Sequence, residues 1–129
     1  MGEEHLVLDS PTLLALRGNK QVSGLIHYAH TDEFLRLWVP VLAMVDADTD
    51  FEGIAEHVGQ MEALGTVPLD YADAVDALRL RHSGLRLGCA AAVVAVRSIA
   101  AGHAPGAVIA TVEPQHYDGF GVAVMDLNR

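Results

Sequence analysis

Unbroken apolar runs alternate with amphipathic stretches along this chain, and two of the runs end on an acid. Leu6, Val7 and Leu8 lead directly into Asp9, and Val108, Ile109 and Ala110 lead into Thr111 and then Glu113. Runs of this length without polar interruption suit strands buried on both faces, as in a parallel sheet. Open α/β sheets bind ligands outside the carboxyl ends of their strands. The pattern therefore aims two carboxylates at that edge. Residues 37–39 form a further short strand candidate, and residues 107–111 and 122–125 the last two.

Between these runs the apolar positions recur at helical spacing. Ser10 and Pro11 read as an N-cap and a first helical residue, and Gly18 as the stop after Leu13, Leu14 and Leu16. A second helix is expected over about residues 20–31, and Pro40 opens another through VLAMVDAD. Thr49 and Glu52 have the spacing of a capping box. It would open a helix carrying Phe51, Ile54, Ala55, Val58, Met61 and Leu64 and ending at Gly65. Asp70 caps the next, with Tyr71, Ala74, Val75 and Leu78 as one stripe, and Ser83-Gly84 breaks it. From about residue 88 to 101 the chain is apolar nearly all round and rich in alanine. That predicts a close-packed central helix, ended by Gly102 and Pro105. Strands alternating with helices predict an α/β architecture, with a mainly parallel central sheet between helical layers. No linker or repeat divides residues 1–129, so a single domain is expected.

Composition narrows the picture. Hydrophobic residues make up 51% of the chain, yet the longest apolar run, residues 89–96, falls far short of a membrane span. The acidic start MGEEHL lacks the basic region of a signal peptide, so a cytoplasmic protein without membrane contact is expected. A single cysteine excludes an internal disulfide framework and a multi-cysteine zinc site. The net charge of −9 argues against a protein that coats nucleic acid. Charge is uneven: three Lys/Arg stand against 14 Asp/Glu in residues 1–78, and five against three in residues 79–129. Arg79, Arg81, Arg86 and Arg97 either form a modest phosphate-facing patch or decorate solvated helix faces.

Three acids fall where chemistry usually sits. Asp9 closes the first strand, Asp46 lies in the helix after Pro40, and Glu113 follows the late apolar run. Carboxylates gathered at one edge cannot all stay ionised cheaply without a counter-cation, and Mg²⁺ or Mn²⁺ is the natural one. Such a cation can activate water and stabilise a phosphoryl transition state. Alternatively, these acids cap helices or sit in solvated loops. His27 and His30 can share a helix face, but two ligands without a third more often mark a solvated face than a metal site. No G-x-S-x-G, H-E-x-x-H or phosphate-loop motif is present.

The run LVLDSPTLLALRG resembles the opening of PIN domains, among them the VapC-like ribonuclease toxins of type II toxin–antitoxin pairs. VPVLAMVDA, SGLRLGCAAAVVAV, VIATVE and VAVMDL continue the resemblance in order over about residues 6–127. It implies a PIN-like three-layer α/β/α fold and a Mg- or Mn-dependent endoribonuclease, in which three or four acids hold the metal. Asp9 matches the first family acid, Asp46 a position usually held by Glu, and Glu113 a position usually held by Asp. Thr111 keeps the threonine that precedes the last acid, and Ser10 falls beside the first. The third family acid, at the start of the alanine-rich helix, is Cys89 here, and Pro11 replaces a small polar residue. The resemblance therefore implies a degenerate site with nuclease activity reduced or lost.

A thiol at position 89 has two readings. It is a soft ligand poorly matched to Mg²⁺, and a helix N-terminus could lower its pKa toward Zn²⁺ or oxidation chemistry. Otherwise it packs as a small hydrophobe where a ligand has been lost. Asp48 and Asp50 lie near Asp46, but Asp50 shares its face only if one helix runs through Thr49, which the capping box argues against. His116 and Asp118 could fold back toward Glu113.

Two functions compete. In one, Asp9, Asp46 and Glu113 hold a metal and the chain cleaves RNA. In the other, a non-catalytic PIN-fold protein acts through protein contact, by self-association or by binding a small antitoxin-like partner. Converging carboxylate oxygens favour the first, and carboxylates bonded to helix N-termini or arginine favour the second. Leu25, Ile26, Tyr28, Phe34, Leu35 and Trp38, crowded into a short span, lead to an expected homodimer. A phospho-receiver domain would need a late lysine, and the only lysine is Lys20.

Overall fold

A computed structural model describes residues 3–102 and 106–128, with the backbone alone for 100–102. The apolar runs become a five-stranded sheet: β1 (Glu4–Leu8), β2 (Leu35–Pro40), β3 (Leu64–Val67), β4 (Val108–Thr111) and β5 (Val124–Asp126). The strand order is β3-β2-β1-β4-β5, and every pairing is parallel. Side chains of β1 and β4 alternate between two apolar layers, as a sheet covered on both faces requires. Leu6, Leu8 and Ala110 face one core, with Leu13, Val22, Ile26 and Val58. Val7 and Ile109 face the other, with Cys89, Ala90, Val93 and Val96.

The helices are α1 (Ser10–Leu14), α2 (Lys20–Thr31), α3 (Val41–Asp50), α4 (Ile54–Gly59), α5 (Tyr71–His82) and α6 (Leu87–Gly102). A 3₁₀ turn spans Pro114–Tyr117. Ala90, Ala91, Ala92 and Ala95 of α6 are buried, so this helix packs closely against the sheet as well as against α3 and α5. Gly88 sets the closest approach. A Cβ there would collide with Ser10 and stand 2.8 Å from Asp46 Oδ2.

Three local expectations are corrected. Asp9, not Ser10, is the N-cap of α1, and its side chain accepts from the Thr12 amide. The Thr49–Glu52 capping box does not form, because α3 runs on to Asp50 and the Thr49 hydroxyl donates to the Asp46 carbonyl. Asp48 takes over that role, accepting from the amides of Gly53 and Ala55 at the start of α4, with Gly53 at φ 97°. The helix expected to run to Gly65 ends at Gly59. Leu64–Val67 pairs with β2 instead as the edge strand β3, with Gly65 inside it. Pro105, expected to help end α6, lies outside the described residues.

Candidate functional site

Chain order converges on the carboxyl edge of the sheet. β1 ends at Leu8, so Asp9 stands at that edge, fully buried and in extended conformation as the cap of α1. Its neighbours are donors. Oδ1 accepts the Thr12 amide at 3.1 Å and the Thr12 hydroxyl at 2.6 Å. Oδ2 accepts the Thr111 hydroxyl at 2.7 Å and the Tyr117 hydroxyl, and the Cys89 thiol stands 3.8 Å away. The two threonine oxygens accept in turn, from the amides of Val112 and Glu113. Asp9 thus ties together β1, α1, α6, the end of β4 and the 3₁₀ turn.

Asp46 on α3 lies next door in a separate set of bonds. One oxygen, Oδ2, accepts the Ser10 hydroxyl at 2.8 Å, the Gly88 amide at 2.9 Å and Arg86 Nε at 2.6 Å. The same guanidinium reaches Asp50 Oδ2 at 2.6 Å. One helix does run through Thr49, so Asp46 and Asp50 share a face, against the sequence expectation. Arg86 stands between them as an internal counter-cation, and so is not a free member of a phosphate-facing patch.

Glu113 is more open. Its carboxylate keeps 41% of its side-chain surface and faces His116 Nδ1 at 3.2 Å. His116 therefore does turn back toward Glu113. His27 and His30 are exposed on α2. Among the described residues no group of three or more His, Cys, Asp or Glu side chains is arranged to hold a metal ion.

Cys89 sits at the centre. Burial pushes its thiol up to about 12, and the nearby Asp9 charge adds to the rise. A hydrogen bond with Tyr117 opposes the rise, Glu113 adds to it and Arg86 opposes it. The start of a helix has not lowered this pKa. At neutral pH the group is a protonated thiol packed beside Asp9. Tyr117, buried beside the same carboxylate, is pushed far above the ordinary phenol value by burial first and by the Asp9 charge second.

Ser10, Cys89 and Thr111, read from sequence as pocket residues, all donate to Asp9 or Asp46. Tyr117 and Arg86 as their partners were not foreseen. Tyr117 had one signal, an amphipathic ring in a short turn just after Glu113. Arg86 had another, a lone cation two residues before the Gly88 that opens the alanine-rich helix.

This order of strands, with helices on both faces and acids at the carboxyl edge, is a PIN-like three-layer α/β fold. Among solved structures it is similar to a chain of the DNA-bound VapBC from Salmonella typhimurium, with a TM-score of 0.55 and 14% identity. The match covers 98% of this chain and 99% of that one. At this identity the likeness is one of fold. No protein-family model and no curated protein matches the sequence. No described helix is long and apolar enough to cross a membrane.

Proposed function

We propose that this chain is a PIN-like protein of toxin–antitoxin type that has lost RNA cleavage and acts through protein contact. The observation that carries the reading is the donor set around the acids. A hard divalent cation needs several unpaired oxygens converging on one point. Here Asp9 faces three hydroxyls, an amide and a protonated thiol, and Asp46 is neutralised by Arg86. These residues do not fit Mg²⁺ or Mn²⁺. The partner in this reading is a small antitoxin-like protein or a second copy of the chain, and the setting is cytoplasmic.

The rival reading keeps Asp9, Asp46 and Glu113 as ligands and RNA as substrate. In its favour, the charges of Asp9 and Glu113 both reach Cys89, whose neighbour Gly88 holds Asp46. Calorimetric titration with Mn²⁺, run beside a cleavage assay on single-stranded and structured RNA, separates the two. The expected outcome is no saturable heat and no metal-dependent cleavage by the native chain. Saturable Mn²⁺ binding accompanied by cleavage that EDTA abolishes would establish the rival.

A further inference from the structure

The sheet face under α6 carries a second feature, made of none of the three acids. His5 of β1 and Trp38 of β2 lie on the sheet face that also carries Val7 and α6. Trp38 Nε1 donates to His5 Nδ1 at 3.0 Å, and the two ring planes are inclined by 7° with centroids 6.2 Å apart. An indole N–H points along its own ring plane. A bond this short between near-parallel rings therefore sets them edge to edge, as one flat floor. Accepting at Nδ1 leaves the His5 proton on Nε2, which faces Glu3 Oε2 at 3.4 Å. At its other end the indole lies down over β3. A Cβ on Gly65 would stand 2.8 Å from Trp38 Cζ3 and 2.9 Å from Cε3, so only glycine leaves room for the ring.

A groove of about 490 Å³ opens on this floor, walled by Val67, Pro68 and Ile99, with Glu3 at its rim. Trp38 also lines an adjoining cavity of about 310 Å³, which carries Asp32, Glu33 and Glu62. Arg36 and His30 line that cavity too, and Arg36 is already engaged by Glu3 at 3.5 Å. Four carboxylates thus line the groove and the cavity, against one guanidinium among their described lining residues. Volumes of this size and an apolar lining suit a small organic ligand. The negative surroundings disfavour phosphate-bearing ones.

We propose that the His5–Trp38 floor binds a planar aromatic cation of one or two fused rings. Its ring stacks on the indole and imidazole, and its charge is met by the indole face and by Glu3. Trp38 is the only tryptophan, so its fluorescence reports on the site directly. The probe is 1-methylquinolinium, titrated against the full chain by fluorescence and calorimetry. Saturable one-to-one quenching is expected. The anionic 1-naphthalenesulfonate should bind about ten-fold more weakly, and tetramethylammonium should not displace the probe. Gly65→Ala should weaken binding about ten-fold by lifting the indole, and Glu3→Gln several-fold with an unchanged circular-dichroism spectrum. If Gly65→Ala fails to fold, the exposed Glu3→Gln still reads the charge requirement. Quenching that rises linearly without saturation, equal affinity for the sulfonate, or displacement by tetramethylammonium would overturn the proposal.

Discussion

Asp9 is the residue on which the local chemistry turns. A carboxylate with no solvent contact survives in a core only when its lone pairs are met, and here five donors surround it. Tyr117→Phe removes one donor without changing the packing volume much. The expected loss is about 1–3 kcal/mol of stability, measured by urea unfolding. The same cluster sets a pH dependence. The Cys89 thiol is raised from 9.0 to about 12 in the native state, so the unfolded chain releases this proton first as pH climbs past 9. The unfolded state then binds fewer protons than the native one. Stability therefore falls through that window, by about 1.4 kcal/mol per pH unit for one group. Tyr117, raised from 10.0, steepens the fall above its own ordinary value. Unfolding curves at stepped alkaline pH should show both slopes. Cys89→Ala should remove the earlier one, and Tyr117→Phe the later.

At the scale of elements, α6 is the piece that closes the site. Its first turn brings the Gly88 amide and the Cys89 thiol against two different acids, and its alanines let it sit that near. Alanine is the better helix former by about 1 kcal/mol, yet Gly88→Ala should destabilise. The added Cβ meets Ser10 and Asp46 in a packed interior, and such overpacking costs about 1–3 kcal/mol or more. Thermal unfolding gives the sign. A rise in the midpoint would mean that α6 can slide without losing the Asp46 bonds. Cys89→Asp tests the same junction differently. It places a second carboxylate beside Asp9, so without metal it should unfold more easily than the native chain. Millimolar Mn²⁺ should recover the loss if the new carboxylate completes a metal site.

For the whole molecule, the apolar crowding at residues 25–38 resolves unevenly. Ile26 and Leu35 enter the core, Leu25 and Trp38 are half-buried, and Tyr28 and Phe34 stay 57% and 48% exposed. The surface left for association is thus narrower than composition implies, although Phe51 after α3 and Tyr71 on α5, at 46% and 86%, add two more exposed rings. Our reading of function still expects a homodimer. Sedimentation equilibrium should give twice the 13.7 kDa chain mass at micromolar concentration. A monomer throughout that range would leave a different protein as the partner.

Local patterns were enough for the elements that depend on near neighbours. The apolar runs before Asp9 and Glu113 need burial on both faces, which only a covered sheet supplies. Asp70 caps α5 by accepting from the amide three residues on, a bond between sequence neighbours. Helix α2 occupies the expected residues for the same reason. β3 escaped because Leu64–Val67 has one buried apolar side chain and a glycine, too little pattern to announce a strand. Its identity comes from the β2 edge it pairs with. The chemistry of the acids was hidden in the same way. Nothing near Asp46 in sequence names Arg86, 40 residues on, and nothing near Asp9 names Tyr117, 108 residues on. Sequence could put carboxylates at one edge of a sheet. Whether they meet a cation, an arginine or a set of hydroxyls depends on which distant side chains the packed layers deliver to that edge.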